Sequence, residues 1–145
     1  MDLQELSDRA EITDVLTRYT RAIDTGDWDK LDTVFTPDAV IDYTESEGIA
    51  APYPQVKPWL AEMLPAFFPK RMHMLGQIDI ELRGDEADVS AYFYNPMPME
   101  RQSGDGQRRH VIVEIGGLYH HTMTRTPDGW RSRQLHEEVV WKHNI

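Results

Sequence analysis

The sequence predicts an α+β fold in which helices lead and antiparallel strands follow. Near the N-terminus apolar residues recur at steps of three and four, the period of an amphipathic helix. Beyond position 72 they gather in β-branched and aromatic runs, separated by glycine, proline and aspartate turn signals. Helices in one block and strands in another fit a layered α+β arrangement better than alternating βαβ units. The length of 145 residues suits one domain spanning 1–145.

The first helix carries Leu6, Ala10, Ile12, Val15, Leu16, Tyr19, Ala22 and Ile23, and Gly26 stops it. Asp27 then reads as the N-cap of a short second helix with Trp28, Leu31 and Phe35, ending before Pro37. Ala39 to Tyr43 is the first strand by its β-branched and aromatic content. A loop holding Gly48, Pro52 and Pro54 leads to a third helix, about Val56 to Phe68. Pro58 suits its first turn, whereas Pro65 must kink it or end it early. Met72 to Leu82 and Ala87 to Tyr94 follow as strands about a Gly84-Asp85 turn. Asn95 to Gly106, with two prolines, two glycines and mixed charge, reads as a long loop that leaves open whether it closes a cavity. Val111 to Thr124 and Trp130 to Trp141 form a hairpin across Pro127-Asp128-Gly129, and Gly116-Gly117 marks a bulge or bend that lets a sheet curl.

Composition narrows the function classes. Acidic residues number 25 against 15 basic, a formal charge of −10, which repels phosphate backbones and anionic lipid and argues against nucleic-acid or membrane partners. There is no cysteine, so disulfides, thiolate metal sites and cysteine nucleophiles are excluded. Met1-Asp2-Leu3-Gln4-Glu5 lacks the basic-then-apolar run of a signal peptide, and no stretch approaches the roughly 20 apolar residues of a membrane span. A cytoplasmic protein is expected. No Gly-x-Ser-x-Gly elbow, phosphate-binding loop or dinucleotide fingerprint is present.

Asp24 closes the first helix, where the carbonyl end of the macrodipole disfavours negative charge. A desolvated carboxylate there is poised to take up a proton. The plainer reading is a solvated aspartate in the turn Asp24-Thr25-Gly26-Asp27. His73, between Met72 and Met74, suits a lined cavity in which a carboxylate holds one ring nitrogen and leaves the other for substrate; a hydrogen-bonded histidine without catalytic duty is the alternative. Tyr19 and Tyr43 offer rings with hydroxyl tips, for orienting a ligand oxygen or for core packing alone. Trp28, Trp59, Phe67, Phe68 and Tyr119 are available as flat apolar walls. The other histidines make no metal site. His120 and His121 point to opposite faces of a strand, and His110, His136 and His143 lack ligand spacing. Neither metal nor cofactor is expected.

The stretches Arg9-Ala10-Glu11-Ile12, Tyr19 to Trp28 and Phe35 to Tyr43, with the later Gly116-Gly117-Leu118-Tyr119 and Asp128-Gly129-Trp130-Arg131, resemble the SnoaL-like branch of the nuclear transport factor 2-like superfamily. The similarity covers nearly the whole chain. It implies a cone-shaped α+β barrel, with N-terminal helices packed on a strongly curved antiparallel or mixed sheet around an apolar interior. Enzyme members include scytalone dehydratase, bile acid 7-alpha-dehydratase and hexachlorocyclohexane dehydrochlorinase, which are cofactor-free eliminating enzymes. Their active-site aspartate and histidine fall on Asp24 and His73, and tyrosines on Tyr19 and Tyr43. Self-association into a homodimer or homotrimer through the sheet is also implied.

Two departures bear on chemistry. Many relatives carry an arginine where this chain has Leu135; Arg133 and His136 are the nearby substitutes, although alternation turns His136 to the other face. Asn95-Pro96-Met97-Pro98-Met99 lacks the second active-site histidine of scytalone dehydratase, and Gly117 and Tyr119 stand where polar groups line that enzyme. The expected activity is a dehydratase-like elimination on a small apolar cyclic, polyketide-like or steroid-like molecule. The alternatives are an isomerase or polyketide cyclase using the same pair, and a noncatalytic small-molecule-binding domain.

Overall fold

A computed structural model describes all 145 residues. Helix α1, Leu3–Thr25, begins in a capping box in which Asp2 accepts the Glu5 N–H and Glu5 accepts the Asp2 N–H. It ends at Gly26, whose φ of 71° makes the left-handed turn that stops the helix. The face bearing Ile12, Val15, Leu16, Tyr19, Ala22 and Ile23 is buried against the sheet. At its start Asp8 accepts a bidentate pair from Arg125 (2.8 and 2.9 Å) and the Trp130 indole N–H, tying α1 to the final hairpin.

The expected second helix is shorter and tighter. A 3₁₀ segment covers Trp28–Thr33, Asp27 makes no side-chain cap, and Phe35 already belongs to strand β1, Phe35–Asp42. Pro37 does not stop an element here. It sits inside β1 where pairing with the final strand, Gly129–His143, is irregular between Phe35 and Val40, so its missing N–H leaves no gap in a regular ladder. The following loop contains a 3₁₀ turn, Thr44–Ser46, and a short strand β2, Ala50–Pro52. Helix α2, Tyr53–Phe67, starts three residues earlier than expected. Pro58 is therefore interior, and Pro65 is carried within the last turn instead of ending the helix early.

Strands β3 (Met74–Arg83), β4 (Glu86–Gln102), β5 (Arg108–Thr126) and β6 (Gly129–His143) complete one six-stranded sheet of order β2-β1-β6-β5-β4-β3. All neighbours are antiparallel except β1 and β6, so the sheet is mixed; it curls without closing, because β2 and β3 remain edges. The curl has a local cause in β5, where register with β6 shifts at Gly116/Gly117. A Cβ on Gly117 would overlap the Glu138 carbonyl oxygen, and one on Gly116 the Trp141 indole, so the two strands approach closely only because both residues lack side chains.

The expected Asn95–Gly106 loop is corrected. β4 runs on through Gln102, paired with β5 from Glu86↔Thr124 to Gln102↔Arg108, and only residues 103–107 turn. Pro96 and Pro98 are two apart and present one side of the strand. β3 pairs only as far as Met74↔Tyr94, so beyond that point this side has no neighbour to lose a donor from. No helix is long and apolar enough to cross a membrane.

Candidate active site

The C-terminus of α1 and the segment entering β3 meet at one corner of the cone. Asp24 lies in the last turn of α1 and accepts two hydrogen bonds from the same residue: the His73 backbone N–H at 2.8 Å and ring Nδ1 at 2.6 Å. His73 precedes β3, so its N–H is not committed to a strand ladder and is free for the carboxylate. With Nδ1 taken, Nε2 is the ring nitrogen without a protein partner, and the ring lines the interior cavity. The flanking Met72 and Met74 are exposed.

Arg71 holds this corner. Its guanidinium donates to the Ile23 carbonyl (2.8 Å) and the Phe68 carbonyl (3.2 Å) and lies over the Trp28 ring at 5.4 Å. Trp28 therefore serves as a platform for Arg71 and does not line the cavity, which corrects its expected place as a substrate wall. The other aromatic expectations meet the cavity: Trp59, Phe67, Phe68 and Tyr119 all line it.

The cavity encloses about 220 Å³ between α2 and the inner face of the sheet, and 13 of its 19 lining residues are hydrophobic, so it favours an apolar guest. Its polar groups are few and converge. The Tyr19 and Tyr43 hydroxyls lie 2.5 Å apart. Two hydroxyls carry two protons and the contact uses one, so one remains to be donated. Asn95 donates to the Tyr119 hydroxyl at 2.9 Å, which leaves the Tyr119 proton free. Burial first pushes the Tyr19 and Tyr119 hydroxyls well above the ordinary tyrosine range, helped at Tyr19 by the Tyr43 and Tyr119 hydroxyls and at Tyr119 by Glu137; burial does the same to Tyr43. All three remain neutral donors.

Sequence reasoning did not single out Glu137 or Asn95. Glu137 is 6% exposed, lines the cavity, and has Oε1 buried without a hydrogen-bond partner. Burial pushes its carboxyl up to about 7, with the Ser46 hydroxyl opposing and Glu45 reinforcing the rise. A signal existed: Leu135 is an inward position, and strand alternation carries residue 137 to the same face. Asn95, whose Oδ1 is also buried and unpartnered, was hidden by its assignment to a loop.

Neither substitute for the missing arginine reaches the site. Leu135 is in the core, Arg133 pairs with exposed Glu86, and His136 bonds Asp42 and Glu45 on the outer face. His120 likewise faces outward, stacked 6.3 Å from His136. His121 faces inward, hydrogen-bonded to Ser132 at 2.8 Å, and burial pulls it down to about 3. No three His, Asp or Glu side chains converge in an arrangement that would hold a metal ion.

A protein of Mycobacterium tuberculosis of uncharacterised function is 42% identical over 131 residues, 90% of this chain and 84% of its own. Among solved structures, one from Novosphingobium aromaticivorans described as a candidate scytalone dehydratase superposes with a TM-score of 0.81 at 15% identity, covering 97% of this chain and 89% of that one. The type 3 hexachlorocyclohexane dehydrochlorinase of Novosphingobium barchaimii superposes at 0.80 and 17% identity, covering 100% and 94%. The shared fold is that of the nuclear transport factor 2-like superfamily. The family model of the SnoaL-like domain matches residues 4–136, and the chain belongs to that family.

Proposed function

We propose that the protein is a cofactor-independent lyase that eliminates across a carbon–carbon bond of a small apolar cyclic molecule. One observation carries the reading: the His73 ring is fixed through Nδ1 by Asp24 at 2.6 Å while it borders an apolar cavity. Nε2 of that ring is the base, taking a proton from carbon next to a carbonyl. Asp24 fixes the tautomer and offsets the positive charge that His73 gains. Tyr119 and the Tyr19–Tyr43 pair donate to the carbonyl oxygen as charge builds there. A cavity of about 220 Å³ lies below the roughly 300–1,000 Å³ of drug-sized pockets, which favours one or two fused rings over a four-ring steroid.

The test uses α-tetralone in deuterium oxide beside its β-hydroxy counterpart. The protein should accelerate both α-deuteration and loss of water, and His73→Asn or Asp24→Asn should slow both by about 10²–10⁴-fold. Deuteration without elimination would replace the lyase with an isomerase or cyclase. Ligand binding with neither reaction would leave a binding domain only.

A further inference from the structure

Two carboxyls line the cavity beside His73 and the tyrosines: Glu47 is exposed and paired with Lys142, whereas Glu137 is buried and is not used by the aspartate–histidine pair. Glu137 comes from β6, on the sheet side, whereas His73 enters from the α1 corner. Its Oε1 is buried and has no hydrogen-bond partner, an arrangement that costs free energy unless a ligand or a proton satisfies it. No cation compensates inside the cavity: α2 presents Trp59, Leu60, Met63, Leu64 and Phe67, and the groups nearest Glu137 from other elements are neutral tyrosines and Ser46. Asp42, Glu45 and His136 lie on the outward side; the two carboxylates hold its proton on and the histidine opposes them.

We infer that Glu137 is the general acid of this site and that the group it expels leaves as water, making the substrate an alcohol and not an alkyl halide. The inference rests on His73 acting as the base. His73 Nε2 takes the proton from the activated carbon, and the C–H electron pair becomes the new C=C bond. The neighbouring C–O bond breaks with its electron pair on oxygen, and that oxygen takes the Glu137 proton. The products are the alkene and water, with no change of oxidation state overall. His73 is left protonated and Glu137 ionised, and the proton passes back between them through water. A carboxyl held at about 7 retains its proton on about half of the molecules at neutrality and gives it up readily. Chloride needs no such proton, whereas hydroxide is a poor leaving group without one.

The two chemistries separate with paired probes, β-hydroxycyclohexanone and β-chlorocyclohexanone. On the hydroxyl probe the wild-type rate should fall as pH rises through about 7, tenfold per pH unit, as Glu137 loses its proton; the chloride probe should lack that limb. Glu137→Gln should slow the hydroxyl probe by about 10²–10³-fold and the chloride probe by less than about tenfold. Equal losses on both probes, no loss on either, or a shared pH limb overturns the acid while leaving the base in place. Failure of wild-type protein to eliminate from either probe overturns the base and the acid together.

Discussion

Replacing Glu137 with glutamine removes an ionisable proton from the cone while keeping the size and shape of the side chain, so its effect on stability isolates the electrostatics of that site. The carboxyl sits at about 7 in the folded chain against an ordinary 4.5 when exposed. Below the lower value both states hold the proton and the site is neutral to stability. Between the two values the unfolded chain releases its proton first, so the folded state loses stability as pH rises, and above about 7 the loss is constant. Integrating that linkage from about pH 5 to about pH 8.5 gives about 2–3 kcal/mol. Glutamine does not titrate. The stability of Glu137→Gln relative to wild type should therefore improve by about 2–3 kcal/mol over that interval, whatever its offset at low pH. Urea unfolding at the two pH values, with equal m-values, measures it. A difference that stays within about 0.5 kcal/mol would mean that the carboxylate ionises at its ordinary value, and the case for a buried acid would fail.

Two further substitutions probe the scaffold. Arg71→Ala removes the guanidinium bonds to the Ile23 and Phe68 carbonyls, and should cost about 1–2 kcal/mol and speed hydrogen exchange at the His73 amide at least about tenfold, because that N–H bonds Asp24 only while the corner is held; unaltered exchange would show that Arg71 is not what holds it. Gly117→Ala drives a Cβ into the Glu138 carbonyl and should cost about 2–3 kcal/mol in a thermal or urea melt, whereas Gly104→Ala, in open space, should stay within about 0.5 kcal/mol.

Local signals were legible wherever local forces decide the outcome. The period and the Gly26 stop of α1, the turn at Gly84, the final hairpin and the Gly116-Gly117 irregularity are all set by nearby backbone preferences, and each is present. Proline misled in three places. Pro37 falls at an irregular pairing and Pro96 and Pro98 along a free edge, where no ladder donor is lost, whereas Pro65 removes one intrahelical bond near the end of α2 without stopping the helix. That error also turned the inner wall bearing Asn95 and Met97 into a supposed loop. Trp28 failed for a different reason: an aromatic ring in the right region has two uses, and a cation from position 71 claims it. The partnership of Asp24 with His73 came from resemblance, since nothing local links positions 49 apart.

Leu135, where the family resemblance implies an arginine, bears on the chemistry through its neighbour two residues along. Positions 135 and 137 share the inward face of β6, which carries an apolar side chain at the first and a carboxyl at the second. A guanidinium and a carboxyl assist different bonds. A guanidinium stabilises an anion that departs as such or builds up on a carbonyl, but it holds its proton too tightly to surrender it. A buried carboxyl near neutrality is a weak electrostatic partner and an effective proton donor. On the proposed reaction the task of stabilising carbonyl charge falls to Tyr119 and the Tyr19–Tyr43 pair, each with a proton to spare. An arginine at position 135 would add its charge beside Glu137 and pull that carboxyl back toward ionisation, so Leu135→Arg should exchange one chemistry for the other: slower loss of water, faster loss of chloride. If both probes responded in the same direction, inner-face charge would be acting on binding alone, and the division of labour between acid and donors would not hold.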